Sequence, residues 1–136
     1  MGIYMQRPRM GLLYHRGYEL FNNRNYIEAE KLFLKCFAIK KPHEGLLSVL
    51  AKTEYKLGKH KEAIAVRKKL IELLGELEGN TAIEEKEMIK SYRNLIDNMI
   101  YKKEFEKAKI MHEEMKRNCP RFVSKRDNEK LRNCHF

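Results

Sequence analysis

Cys119, Cys134 and His135 come nearest to a metal-ligand set in this chain, but no zinc-site spacing joins them. Cys36 lies among apolar residues at helical spacing, where a thiol packs as a small hydrophobe. His112 stands beside Glu113 and is expected to pack. Glu84, Glu85 and Glu87 form an acidic run suited to a helix N-terminus. Only two aspartates and three serines are present, and there is no Gly-rich phosphate loop, paired-histidine zinc helix or Gly-x-Ser-x-Gly elbow. The expectation is a protein that is no enzyme and takes no cofactor or metal. Binding chemistry remains, carried by 7 Tyr, 6 Phe and 29 Lys and Arg. Aromatic rings bring contact area, and the cations bring charge-assisted hydrogen bonds.

The formal net charge of +10 is unevenly placed. Residues 1–43 hold eight basic and three acidic side chains, residues 44–88 eight and nine, residues 89–120 eight and five, and residues 121–136 five and two. Both ends are thus basic and the middle is neutral. A lysine-rich solvated surface accounts for this, and so does attraction to an acidic peptide or to nucleic-acid phosphates. No apolar run reaches the roughly 18 residues of a membrane span. Met1–Met10 lacks the apolar core of a signal peptide, and Gln6 stands where myristoylation wants Ser or Thr. With 3 Cys spread far apart, a reducing cytoplasm is the expected compartment.

Helices must position these side chains. Helix formers dominate, there is no Trp and only 3 Pro, and no stretch alternates apolar and polar long enough for a strand. Ile83, Met88, Ile89, Tyr92, Leu95, Ile96, Met99 and Ile100 trace one broad stripe. Asn25 with Glu28 and Thr81 with Glu84 have capping-box spacing, and Gly79 and Asn80 suit a preceding helix end. A helix is therefore expected from about Thr81 to Tyr101. Residues 121–136 carry Phe122, Val123 and Leu131, which fit one face of a short helix starting after Ser124, or else a disordered basic tail.

Those helices repeat. Leu13 and Leu47, Gly17 and Ala51, Tyr26 and His60, Ala29 and Ala63, Cys36 and Leu70, and Ile39 and Leu73 are all 34 residues apart. Tyr92, Leu95, Ile96, Met99, Phe105, Ala108 and Met115 repeat Leu47, Leu50, Ala51, Glu54, His60, Ala63 and Leu70 at an offset of 45. The 11 added residues are close to three helical turns, so the apolar stripes stay nearly in phase.

With a small residue in the first helix (Gly17, Ala51), a Gly-type turn and an aromatic-x-x-alanine opening the second, the pattern resembles the tetratricopeptide repeat. The middle unit, Tyr55 to Ile64, is the nearest to the family pattern, and Ile96 departs from the small-residue position. Pro42 and Pro120 fall near repeat boundaries. The lengthened third copy is similar to the longer-helix variant seen in kinesin light chains and some bacterial regulators. The resemblance implies an all-α, right-handed α-solenoid of three helix–turn–helix repeats, at about 10–43, 44–80 and 81–120, after an extension at 1–9 and before a basic cap or tail at 121–136.

It further implies that the first helix of each repeat lines a concave face. That face would hold Tyr14, Tyr18 and Phe21, then Ser48, Lys52, Tyr55 and Lys56, then Lys90, Arg93, Asn94, Asp97 and Tyr101. Aromatic at one end and cationic at the other, it suits an extended or helical peptide with apolar anchors and carboxylates. The family's clamp for the C-terminal carboxylate of heat-shock chaperones wants Lys and Asn where this chain has Tyr14, Tyr18 and Val49, so only Lys90 and Asn94 match. The expected function is a protein–protein interaction module. The alternatives are a basic helical protein contacting RNA or DNA, an oligomerising regulatory subunit, and a piece of a longer repeat array.

Overall fold

The computed structural model describes residues 2–39, 43–76 and 81–132, with the side chains of those from residue 11 onward except Glu76. Gly79, Asn80, Pro42, Cys134 and His135, singled out above, lie outside the described residues. Among the described residues all regular structure is helical: α1 (Gly2–Asn22), α2 (Tyr26–Ile39), α3 (Glu44–Lys56), α4 (His60–Glu76), α5 (Ala82–Tyr101), α6 (Phe105–Asn118) and α7 (Lys125–Arg132). α1 starts at Gly2, so residues 2–9, expected as an N-terminal extension, are helical. None of the described helices is long and apolar enough to cross a membrane. The chain divides into two compact units, 1–70 and 71–136, with the boundary inside α4.

Three turns have the same backbone. Arg24, Gly58 and Lys103 each take a left-handed conformation, with φ of 62°, 76° and 60°. The next residue's amide reaches back to the third-last helical carbonyl: Asn25 N to Leu20 O, Lys59 N to Glu54 O and Glu104 N to Met99 O, each 2.8 Å. The amides of Arg24, Gly58 and Lys103 close the inner ring on Phe21, Tyr55 and Ile100, a Schellman end to each helix. Asn25, Lys59 and Glu104 then offer their own carbonyls to Ala29, Ala63 and Ala108 at 2.9–3.0 Å, so each closes one helix and opens the next. The spacing of the turns is 34 and then 45 residues. Each of these alanines is buried, since a larger side chain there would push the second helix away.

Unit 1 is held by an apolar and aromatic core. Ala29, Phe33, Cys36, Leu46, Val49 and Leu50 form its centre, packed by Leu13, Tyr14, Tyr18, Phe21, Phe37 and Val66. Gly17 lies under Phe33; a Cβ there would meet the ring at 2.6 Å, so α1 and α2 approach closely only because the position is glycine. Unit 2 centres on Met88, Ile89, Tyr92 and Ile96 of α5 with Ala108 and Met115 of α6 and the adjoining Cys119, all buried. Tyr92 anchors it by polar contacts as well: its hydroxyl donates to Glu114 at 2.8 Å and accepts from Asn118 at 2.8 Å. Burial and the neighbouring carboxylate push the Tyr92 phenol above its ordinary range.

α5 begins at Ala82 and ends at Tyr101, within a residue of the expected span. The capping box expected at its start does not form. Thr81 has φ −92° and ψ −1° and makes no side-chain cap bond. A cap hydroxyl reaches the next turn from an extended residue, not from one already helical. A cap the sequence did not single out occurs at α3, where His43 Nδ1 accepts from Leu46 N at 3.2 Å.

Candidate functional site

In unit 1 the candidate tyrosines are largely occupied. Tyr14 meets Tyr18, Phe33 and His43 at ring separations of 5.1–6.1 Å, and its hydroxyl rests over Gly45, where a Cβ would come within 2.8 Å. Burial, followed by a hydrogen bond with Tyr18, pushes the Tyr14 phenol up to about 12. Tyr18 adds edge contacts to Phe21 and Phe33. These rings are half-buried and serve the core first, leaving their rims as the available surface. Tyr55 meets His60 edge-on at 5.2 Å across its turn, as Phe21 meets Tyr26 at 5.5 Å one repeat earlier. Ser48 is half-buried, while Lys52 and Lys56 project into solvent.

In unit 2 the candidate residues lie along α5, and α7 reaches them. Arg93 donates to both Asp127 oxygens, from Nε and Nη2, at 2.9 Å each, and its Nη2 also donates to Phe122 O at 3.2 Å. Ser124 donates to the same carboxylate from its amide at 2.8 Å and its hydroxyl at 3.0 Å, and its hydroxyl accepts from Asp127 N at 3.2 Å. Ser124 and Asp127 are thus a reciprocal capping box for α7. One turn along, Lys130 donates to Asp97 at 2.8 Å. Arg121 pairs with Glu85, tying down the segment that leads into α7. Asp127 is only 4 % exposed. Burial alone would raise its pKa, but the Arg93 guanidinium and the two Ser124 donors overrule it and hold the carboxyl down to about 2.

The other α5 residues stay outside this clasp. Lys90 pairs with Glu87 at 3.1 Å, and Asn94 donates to the Lys90 carbonyl of its own helix at 2.8 Å. Tyr101 is 86 % exposed at one end of the helix and Ile83 is exposed near the other, eighteen residues and five helical turns away, so both fall on one face. A cavity of about 300 Å³, lined by Arg93, Ser124, Arg126, Asp127 and Lys130, lies beside the clasp. Solvent therefore reaches the edge of the α5–α7 contact.

Sequence reasoning brought Arg93 and Asp97 to the site and missed Asp127 and Lys130, which bind them, and Ser124, which holds Asp127. The signal was there: Ser124-Lys125-Arg126-Asp127 is a capping-box tetrad. Under either expectation, a short helix after Ser124 or a basic tail, the segment's one buried carboxylate lies among five cations, and the expected apolar face of Phe122, Val123 and Leu131 does not point to it. Among the described residues, no group of three or more His, Cys, Asp or Glu is placed to hold a metal. His112, buried in α6, belongs to the packing of unit 2. Neither protein-family models, nor curated protein sequences, nor solved structures give a match to this chain.

Proposed function

We propose that the chain is a helical-repeat binding module similar to tetratricopeptide-repeat proteins, with hairpins stacked as a right-handed α-solenoid. In this reading it holds a carboxylate-bearing peptide or helix of another protein and has no catalytic role. The observation that carries the reading is the recurrence of one turn at Arg24, Gly58 and Lys103, each followed five residues later by a buried alanine. Hairpins of one design leave apolar edges that only neighbouring hairpins cover, which favours stacking over independent folding. Cations in excess and the exposed α5 face from Ile83 to Tyr101 favour an acidic partner with apolar anchors.

Nucleic-acid binding ranks lower because Tyr14 and Tyr18, the rings best placed for base stacking, already pack on Phe33. Affinity capture from lysate, with and without nuclease, tests the ranking. A discrete set of proteins that survives nuclease and weakens on charge reversal at Lys52, Lys56 and Lys90 is expected. Loss of all bound material on nuclease treatment, or tight oligonucleotide binding that resists moderate salt, would overturn it.

A further inference from the structure

Along α5, Arg93 and Asp97 are four residues apart, about 6 Å along the helix axis. Along α7, Asp127 and Lys130 stand three residues apart with the charges in the opposite order. The two pairs meet in register, Arg93 on Asp127 and Lys130 on Asp97. A segment laid down in the reverse direction would set like charges against each other, so the pairing selects orientation as well as charge. The Ser124 cap adds a second requirement: it aims the Asp127 oxygens outward from the first turn of the helix while donating to one of them.

The geometry points to a docking site on the Arg93–Asp97 face of α5 for a partner helix whose first turn has a Ser or Thr cap, a carboxylate three residues later and a cation three residues beyond. α7 of the same chain is its resident occupant and competes with that partner. This rests on the reading of the chain as a binding module. Asp127 is the one fully buried residue of α7, and Leu131, its single apolar residue, is half-buried, so polar pairing holds the helix down more than apolar area does. Eight residues are also too few for a stable helix in water, where about 12–15 are needed, so the helicity of α7 depends on docking. Such an occupant exchanges readily. Its advantage is its tether, which supplies a local concentration of roughly millimolar, and an incoming segment must exceed that.

The test uses the full chain and a labelled peptide with the sequence of residues 121–132. Asp127→Ala in the chain removes the resident carboxylate and is expected to raise peptide affinity on the order of a hundredfold over the unaltered chain. Adding Arg93→Ala should abolish that gain, and a peptide carrying Asp127→Ala should bind neither chain. In the unaltered chain, excess peptide should speed amide exchange across residues 125–132 and leave residues 88–96 protected. This second readout does not depend on any variant folding. Equal peptide binding with and without Asp127→Ala, or exchange in α7 indifferent to the peptide, would overturn the proposal. The peptide assay reports on this face alone, whereas lysate capture reports on whether the chain has protein partners, so the two readings fail separately.

Discussion

The most deeply buried carboxylate of each unit is Glu54 in one and Asp127 in the other, and the two environments treat the charge in opposite ways. Glu54 of α3, in unit 1, is 4 % exposed, and its Oε1 has no hydrogen-bond partner. Burial first, then repulsion from Glu30 and Glu62, lifts its pKa to about 7, against the pull of Lys59. Lys59 itself is committed to Glu30 at 2.6 Å. Asp127 of α7, in unit 2, is equally buried but accepts four hydrogen bonds and falls to about 2. Depth alone does not set the charge state; the number of donors aimed at the carboxylate does. Unit 1 can afford the poorly served acid because its aromatic core carries the fold, whereas α7 has little besides its carboxylate.

Breaking the well-served carboxylate should have the largest effect. Arg93→Ala leaves Asp127 buried without its cation; a fully buried pair would lose about 3–5 kcal/mol, and solvent screening at Arg93, 36 % exposed, lowers that here. Undocking of α7 caps that loss, because the freed carboxylate then reaches water. Amide exchange should lose protection over residues 125–132 while α5 and α6 stay protected; protection retained in α7 would mean that the clasp is not what holds it. The pH dependence has a definite sign. A lowered folded pKa gives stability that is present above the ordinary carboxylate range, near 3.8, and is lost as pH falls towards 2. α7 protection should therefore be flat from neutral pH down to about pH 4.

The poorly served acid should behave in reverse. Glu54 is raised from 4.5 to about 7, so folding loses stability as pH rises through that window. Glu54→Gln should stabilise the chain at pH 8 by something on the order of 1–3 kcal/mol and do almost nothing at pH 4. A denaturant midpoint equally shifted at both pH values would show that the gain comes from packing rather than charge.

The buried alanines sharpen the comparison at the level of packing. Ala63→Leu and Ala108→Leu should each cost about 1–3 kcal/mol by overpacking the close approach of a second helix. Thermal melts that respond to one substitution and not to the other would separate the hairpins of the two units. The turns give the smallest effect. Arg24 and Lys103 occupy left-handed positions at a cost of about 1 kcal/mol that Gly58 avoids. Lys103→Gly should thus stabilise and Gly58→Ala destabilise by about that amount, read from chemical denaturation.

The turns were legible because a left-handed residue, a following helix start and a buried alanine must sit at fixed offsets. The match at 34 and 45 residues therefore survives even where Arg24 and Lys103 replace glycine. The extent of α5 was legible for a similar reason, its apolar stripe being long and unbroken. Thr81 was misread as a cap because spacing reports which residues can reach each other, not the backbone angles from which they do so. Tyr14 and Tyr18 were legible as aromatic neighbours one helical turn apart, but their engagement with Phe33 and His43 depends on α2 and on the approach to α3.

The sequence by itself determined the local order of this protein: helices, their ends and the spacing at which the hairpins recur, all governed by contacts within a few residues along the chain. The tertiary structure decided what each charge faces. Arg93 and Asp127 are 34 residues apart, and Glu54 and Glu30 are 24 apart. Ser124 serves Asp127 locally, but whether a carboxylate is held at about 2 or pushed to about 7 also depends on whether packing brings a distant cation such as Arg93 within 3 Å of it. Interactions of that kind leave no period in the sequence, because the partners share no helix and no turn.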